Sequence, residues 1–214
     1  MGRGNFKGEK HMTEQRTEEW FAQRLGKVTA SAIANVIAKT KTGVSASREN
    51  YSTQLTLERL TGKQAEFYTN SAMEWGTATE PQARRAYELY REVFVDEVGF
   101  ITHPTIAMSG ASPDGFVGDD GLVEIKCPES KTQMETLLDQ KVPTKYMPQM
   151  QWQLACTGRK WCDFVSFDPR MPENLQIFVQ RVERNDLYIK MLEEEVTKFL
   201  EEIDQKVEIL RNIK

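Results

Sequence analysis

The sequence predicts an α/β domain in which a mixed central β-sheet is flanked by helices and a long C-terminal helix ends the chain. Three observations carry this. Helical patterns fill the region before residue 91, short β-prone segments crowd residues 97 to 126, and helices and strands alternate again after residue 130. At 214 residues the chain fits one domain large enough to bury a core without disulfides.

Residues 1–11, ending in His11 before Met12, read as an expression leader with a cloning scar, which leaves 12–214 as one domain. Helical patterns follow at about 18–25, 30–38, 49–61 and 71–91. The last carries Gly76 and Pro81, expected as kink or break points because proline lacks the N–H that a helix interior uses. Strand patterns lie at about 97–102, 106–111, 115–118 and 121–126. Helices at 130–139 and 144–157 then precede strands at 161–167 and 175–183. The segment 185–211 repeats apolar residues at three- and four-residue spacing, from Leu187, Met191, Leu192 and Val196 through Phe199, Leu200, Ile203, Val207 and Leu210. Its other face is rich in glutamate, so it reads as an amphipathic helix packed on its own domain. Phe94, Phe100 and Phe116 read as core rather than as a base-stacking platform.

The chemistry concentrates in residues 112 to 126, Ser-Pro-Asp-Gly-Phe-Val-Gly-Asp-Asp-Gly-Leu-Val-Glu-Ile-Lys. Alternate residues of a strand project to one face, so Glu124 and Lys126 share a side while Val123, Ile125 and Cys127 share the other. Gly118-Asp119-Asp120-Gly121 is turn chemistry, which folds the preceding segment back antiparallel and brings Asp114 near Glu124. Register imposes a condition. Were Val117 paired with Leu122, Asp114 would oppose Ile125 and face the wrong way, so the hairpin needs an odd-length loop or a bulge, expected at one of its glycines. Asp114, Glu124 and the Ile125 carbonyl then offer the oxygen ligands that Mg2+ prefers, and Lys126 stands beside an attacking water. The plain alternative is a turn capped by Asp114 with Glu124 and Lys126 as a solvated ion pair.

A second constellation lies upstream. Arg24 precedes Gly26, and Thr29-Ala30-Ser31 opens a helical pattern, so a guanidinium, a hydroxyl and free backbone N–H groups can converge on one anion such as a terminal phosphate. The alternative is a surface arginine and a helix cap.

Taken together, Ser112-Pro113-Asp114 and Glu124-Ile125-Lys126-Cys127-Pro128 resemble the PD-(D/E)xK nuclease superfamily, specifically the lambda-exonuclease type of viral recombinase. Further motifs of that family occur in order from Thr17 through Arg184. They are Arg24-Leu25-Gly26 with Thr29-Ala30-Ser31, Glu74-Trp75-Gly76 with Glu80, Tyr146-Met147 with Gln149, and Phe167-Asp168-Pro169-Arg170-Met171. The resemblance implies a restriction-endonuclease-like core and a Mg2+-dependent exonuclease that degrades one strand of double-stranded DNA from 5′-phosphorylated ends. Mononucleotides are released, and a 3′ single strand is left for recombination by single-strand annealing. It also implies Arg24, Ser31, Ser112 and Gln149 as the 5′-phosphate site, Glu80 as a catalytic carboxylate near a two-metal site, a homotrimeric ring around DNA and an annealing-protein partner. Mn2+ should substitute by the same oxygen-ligand logic. Two positions depart from the family pattern: Lys41, a DNA-binding candidate where a relative has arginine, and Pro148 before Gln149, which bears on the helix start. The same triad would also serve a structure-specific or restriction-type endonuclease, and an inert triad would leave a DNA-end-binding scaffold.

Composition bounds these readings. Cys127, Cys156 and Cys162 show no metal-site spacing, point to a reducing cytoplasm, and lack the fourth ligand of the iron–sulfur nucleases. No stretch approaches the roughly 20 apolar residues of a membrane span. His103, the one histidine outside the leader, has no sequence partner for a metal site and reads as structural. Net charge is −4, and the leader holds three of the 28 basic and one of the 32 acidic residues, so the rest stands at −6. A negative exterior suits an enzyme that engages DNA ends through a local positive path, for which Arg24, Lys41, Arg48, Arg84, Arg85, Lys131, Lys141 and Lys145 are candidates, about half of them ordinary solvated cations.

Overall fold

A computed structural model describes residues 14–41, 43–65 and 70–213, and the leader expected at 1–11 lies outside them. Thr17 caps the first helix, α1 (Glu18–Arg24), by accepting from Trp20 N. A two-residue strand, β1 (Val28–Thr29), a 3-10 turn (Ala30–Ala32) and a short helix, α2 (Ile33–Val36), follow. The helix expected over 30–38 is thus a 3-10 turn and one α-turn, and Thr29 makes no side-chain cap bond. A small hairpin of β2 (Lys39–Thr40) and β3 (Gly43–Val44) leads to α3 (Ala46–Thr61), capped by Ser45.

Next comes α4 (Ser71–Arg91), whose N-cap Asn70 accepts from Met73 N. It runs without interruption through Gly76 and Pro81, contrary to the expected break. Proline removes one backbone donor from the ladder, and the helix tolerates that loss within its 21 residues. Strands β4 (Val95–Asp96), β5 (Ile101–Thr102), β6 (Ser109–Ala111), β7 (Gly115–Val117) and β8 (Gly121–Lys126) then form; β4 lies ahead of the expected strands, and β5 and β6 are much shorter than the patterns at 97–102 and 106–111. Helix α5 (Ser130–Asp139), a 3-10 turn, α6 (Met147–Thr157), β9 (Trp161–Phe167), β10 (Ile177–Glu183) and α7 (Asp186–Arg211) complete the chain close to their expected bounds.

The central sheet has the order β10-β9-β8-β7-β4. It is mixed: β8 pairs parallel with β9 and antiparallel with β7. Strands β1, β6 and β5 form a separate three-stranded sheet in which β1 runs parallel to β6. Alternation along β8 divides the core. Leu122 packs with Met150 and Leu154 of α6, while Val123 and Ile125 pack with Ala83 and Tyr87 of α4. A third cluster joins α2, α3, α6 and α7 through Ile33, Leu55, Trp152, Leu192, Phe199 and Ile203.

Three residues of the expected apolar stripe of α7 are not core: Leu187 is 84%, Leu210 44% and Met191 38% exposed. The inward stripe runs from Ile189 to Val207. Phe94 is also outside the core at 88% exposed, because Val93 and Val95 on either side take the inward positions between α4 and β4. Phe100 closes over Gly110, and Phe116 lies under the Arg159 guanidinium. His103 is structural as expected: it is buried, stacks on Trp152 at 4.8 Å and accepts at Nδ1 from Ile106 N. Several candidate cations are committed to acids. Arg48 forks onto Glu202, Arg84 meets Glu80 and Glu97, and Lys131 meets Glu135.

Gly110 tests the small sheet. A Cβ there would lie 2.4 Å from Phe100 Cζ and 2.5 Å from the Ile101 carbonyl oxygen, which the strand pairing holds in place. Gly110→Ala should therefore destabilise the protein by about 1–3 kcal/mol, read as a lower midpoint in chemical denaturation.

Candidate active site

The β7–β8 hairpin sets the site. Its pairs are Gly115↔Val123, Phe116↔Leu122 and Val117↔Gly121, leaving the three-residue loop Gly118-Asp119-Asp120. This is the odd-length loop that the register argument required, and Gly118 sits at φ +54°, a left-handed conformation suited to glycine. Continuing the register by one residue sets Asp114 opposite Glu124. Asp114 Oδ2 accepts from Ile125 N at 2.6 Å, which ties the segment before β7 to the end of β8.

Glu124 is 1% exposed, so its charge must be met from within. Lys126 Nζ lies 2.5 Å from Glu124 Oε1, Gln149 Nε2 donates to the same oxygen at 2.6 Å, and Gln153 Nε2 donates to Oε2 at 2.5 Å. Gln149 and Gln153 are four residues apart on α6 and therefore face the carboxylate together. Burial alone would lower the Lys126 pKa, but Glu124 and Asp114 outweigh it and hold the ammonium above its ordinary value. Asp114 is pushed well above the ordinary carboxylate range, first by burial and then by the charges of Glu124 and Glu80.

An anion corner adjoins this cluster. Trp20 and Arg24 lie on one face of α1, with the guanidinium carbon 4.0 Å from the indole centroid. Both point at Ser112: Trp20 Nε1 donates to its Oγ at 2.9 Å and Arg24 Nη1 at 3.2 Å. Arg24 forms no ion pair among the described residues, and burial pushes its pKa down to about 10 against the weaker opposing effects of Tyr51 and Glu58. A buried guanidinium matched to a hydroxyl and a ring has unspent capacity for an anion. The parallel pairing Val28↔Ser109 and Thr29↔Gly110 sets Ser31 beside this corner, where its Oγ lies 3.4 Å from Thr29 Oγ1.

Arg24, Ser31, Glu80, Ser112, Asp114, Glu124, Ile125, Lys126 and Gln149 all line one cavity of about 520 Å³. Lys41 does not; it is exposed in the β2–β3 turn. Glu80 reaches the cavity from α4, but both its oxygens are engaged, Oε2 with Arg16 at 2.6 Å and Oε1 with Arg84 at 3.1 Å. Pro148 falls in the first turn of α6, where a missing N–H costs no helical bond, and Gln149 still faces the site. Sequence reading missed Trp20, Arg16 and Gln153. The four-residue spacings Trp20–Arg24 and Gln149–Gln153 were the available signals. The Phe167-to-Met171 motif is a brace: Asp168 binds Ser130 Oγ and Arg170, and Arg170 lies 4.3 Å over the Trp75 ring. Cys127 also lines the cavity, but its thiol is pushed up to about 12 by burial and then by Glu80 and Asp114, which leaves it protonated.

The donor set fits a hard divalent ion. Among the described residues no three His, Cys, Asp or Glu side chains converge as a ready metal-binding group, so the side-chain donors are the pair Asp114 and Glu124, with the Ile125 carbonyl next in sequence after Glu124, while Glu80 is held by Arg16 and Arg84.

A model of the YqaJ-like viral recombinase domain matches residues 19–160. No curated protein matches the chain. Among solved structures, the chain is similar to an alkaline exonuclease, LHK-Exo, from Laribacter hongkongensis, with 52% identity, a TM-score of 0.85, and 91% of this chain and 96% of that one covered. LHK-Exo in complex with dAMP aligns with a TM-score of 0.86 at the same identity. A phage related exonuclease from Haemophilus somnus 129PT shares the fold at 16% identity and a TM-score of 0.66, over 86% of this chain and 96% of that one.

The Asp114 shift has a sign that can be tested. A carboxyl whose folded pKa is raised costs stability when ionised, and the cost vanishes as pH falls through the folded value. In chelating buffer, Asp114→Asn keeps an acceptor for Ile125 N and should stabilise the protein by on the order of 1 kcal/mol. The gap in Tm between variant and parent should narrow from mildly alkaline to mildly acidic pH; a variant less stable throughout would refute the charge argument.

Proposed function

Because the chain belongs to the YqaJ-like viral recombinase family and is a DNA exonuclease, we propose that it degrades one strand of double-stranded DNA from 5′-phosphorylated ends to mononucleotides, using Mg2+. The 3′ single strand left behind would feed recombination by single-strand annealing. One observation carries this reading: a single cavity joins the Arg24–Ser112 anion corner to the Asp114–Glu124–Lys126 cluster, with Ser112 two residues from Asp114. A terminal phosphate held at the corner would lay the next phosphodiester toward the carboxylates, which supports cutting from a 5′ end. The mononucleotide dAMP bound to LHK-Exo is consistent with such a product.

In this mechanism Asp114, Glu124 and the Ile125 carbonyl would hold the divalent ion, which would polarise the phosphoryl oxygen and acidify water. Arg24, with Ser31 and Ser112, receives the 5′-phosphate through charge-assisted hydrogen bonds. Lys126 stays protonated because Glu124 is 2.5 Å away, so it orients water and stabilises developing negative charge rather than acting as a base. Gln149 bridges Glu124 and Lys126, and Gln153 fixes the second oxygen of Glu124. The same reading includes Mn2+ as a substitute, a two-metal working state with Glu80, a homotrimeric ring that keeps DNA threaded between cuts, an annealing-protein partner and a cytoplasmic setting.

The decisive assay is release of acid-soluble nucleotide from 5′-phosphorylated linear duplex with Mg2+ or chelator. Lys126→Ala should lower the rate by about 10²- to 10³-fold. No release under any condition would favour a DNA-end-binding scaffold, and cleavage of closed circular duplex would favour an endonuclease. Arg24→Ala should remove a preference for 5′-phosphate over 5′-hydroxyl ends of roughly 10- to 100-fold; equal discrimination in the variant would reject that role.

A further inference from the structure

Arg16 enters the cavity from the segment before α1, and its guanidinium meets Glu80 Oε2 at 2.6 Å. We infer that Arg16 is a resident counter-ion that a divalent ion must displace from Glu80, a positioning residue that acts through that carboxylate; the inference rests on the metal reading above. The two cations on Glu80 are unequal. Arg84 is only 14% exposed and is also paired with Glu97, so it is anchored from both sides. Arg16 is 48% exposed, and Glu80 is its one acidic partner among the described residues.

The backbone around Arg16 is fixed in place. Gln15 Nε2 donates to the carbonyls of Val98 at 2.7 Å and Pro113 at 2.8 Å, which docks the segment onto the Ser112-to-Asp114 turn. Thr17 caps α1 on the other side. Between them Arg16 holds φ +69°, a left-handed conformation that a residue with a Cβ adopts at a cost. The cost is sustained where it delivers a guanidinium to a cavity that already gathers Glu80, Asp114 and Glu124. An ion that takes Glu80 Oε2 must compete with this guanidinium, so the two cations exchange. Before the ion arrives, Arg16 offsets the crowded negative charge; afterwards it is released toward the open cavity.

Arg16→Gly removes the guanidinium and suits the φ of +69°, so the variant is expected to fold. Mn2+ binding, followed by electron paramagnetic resonance of the free ion in the absence of DNA, reads the exchange directly. Losing an exposed ion pair from the competition should tighten Mn2+ binding by about two- to five-fold. In a Glu80→Gln background the same substitution should change Mn2+ affinity by nothing measurable, closing a double-mutant cycle. Unchanged or weaker binding in Arg16→Gly, or an equal gain without Glu80, would overturn the inference. Asp114→Asn separates the two levels: if it binds Mn2+ as the parent does, the metal reading itself falls, whereas loss of binding there with no effect of Arg16→Gly removes only the role of Arg16.

Discussion

The three-residue loop of the β7–β8 hairpin is the constraint on which the site depends. A strand has a period of two, so one residue more or fewer in that loop would turn Asp114 from Glu124 toward the α4 side of the sheet. Because β8 is paired on both edges, with β7 and β9, and packed on both faces, its register cannot drift. Glu124 and Lys126 are therefore carried by a strand held on both edges and both faces. The hydrogen bond from Ile125 N to Asp114 extends that rigidity to the segment leading into β7.

Electrostatics builds outward from this frame. A fully buried carboxylate is sustained because Lys126, Gln149 and Gln153 all donate to it. Among the described residues Asp114 has no comparable compensation, and Glu80 is balanced by Arg16, ahead of α1, and by Arg84 of its own helix. The result is a cavity with three carboxylates on one side and, on the other, the Arg24 guanidinium, which meets no acid among the described residues. Opposite needs for a cation and an anion, separated by little more than Ser112, are what a phosphodiester approached by a divalent ion would satisfy together. The −4 net charge is no obstacle, since much of the basic inventory, including Arg48, Arg84 and Lys131, is paired with acids and the exposed surface need not be positive.

The two sheets meet at Ser112-Pro113-Asp114, where the chain leaves β6 in the small sheet and enters β7 in the central one. The small sheet exists to the extent that β1 finds β6, a pairing of two residues across about a third of the chain. That contact brings the α1 corner to the hairpin. Gly110, inside β6, leaves no room for a side chain because the Phe100 ring and the Ile101 carbonyl of β5 close on it.

What the sequence determined by itself is local or periodic. The strand bounds 121–126 and 161–167, helices 71–91, 130–139 and 185–211, the odd loop and the shared face of Glu124 and Lys126 all follow from alternation, turn residues and amphipathic spacing, which act over a few residues. Family resemblance carried Arg24, Ser31, Ser112 and Gln149 to the same cavity, which composition and spacing could not do. Tertiary structure alone decided the split into two sheets, the exposure of Phe94 and Leu187, and the engagement of Glu80 by Arg16. These depend on pairings between residues far apart in sequence, where two-residue strands carry no pattern of their own. A glutamate four residues from an arginine announces its pairing with Arg84; one met by an arginine 64 positions away does not.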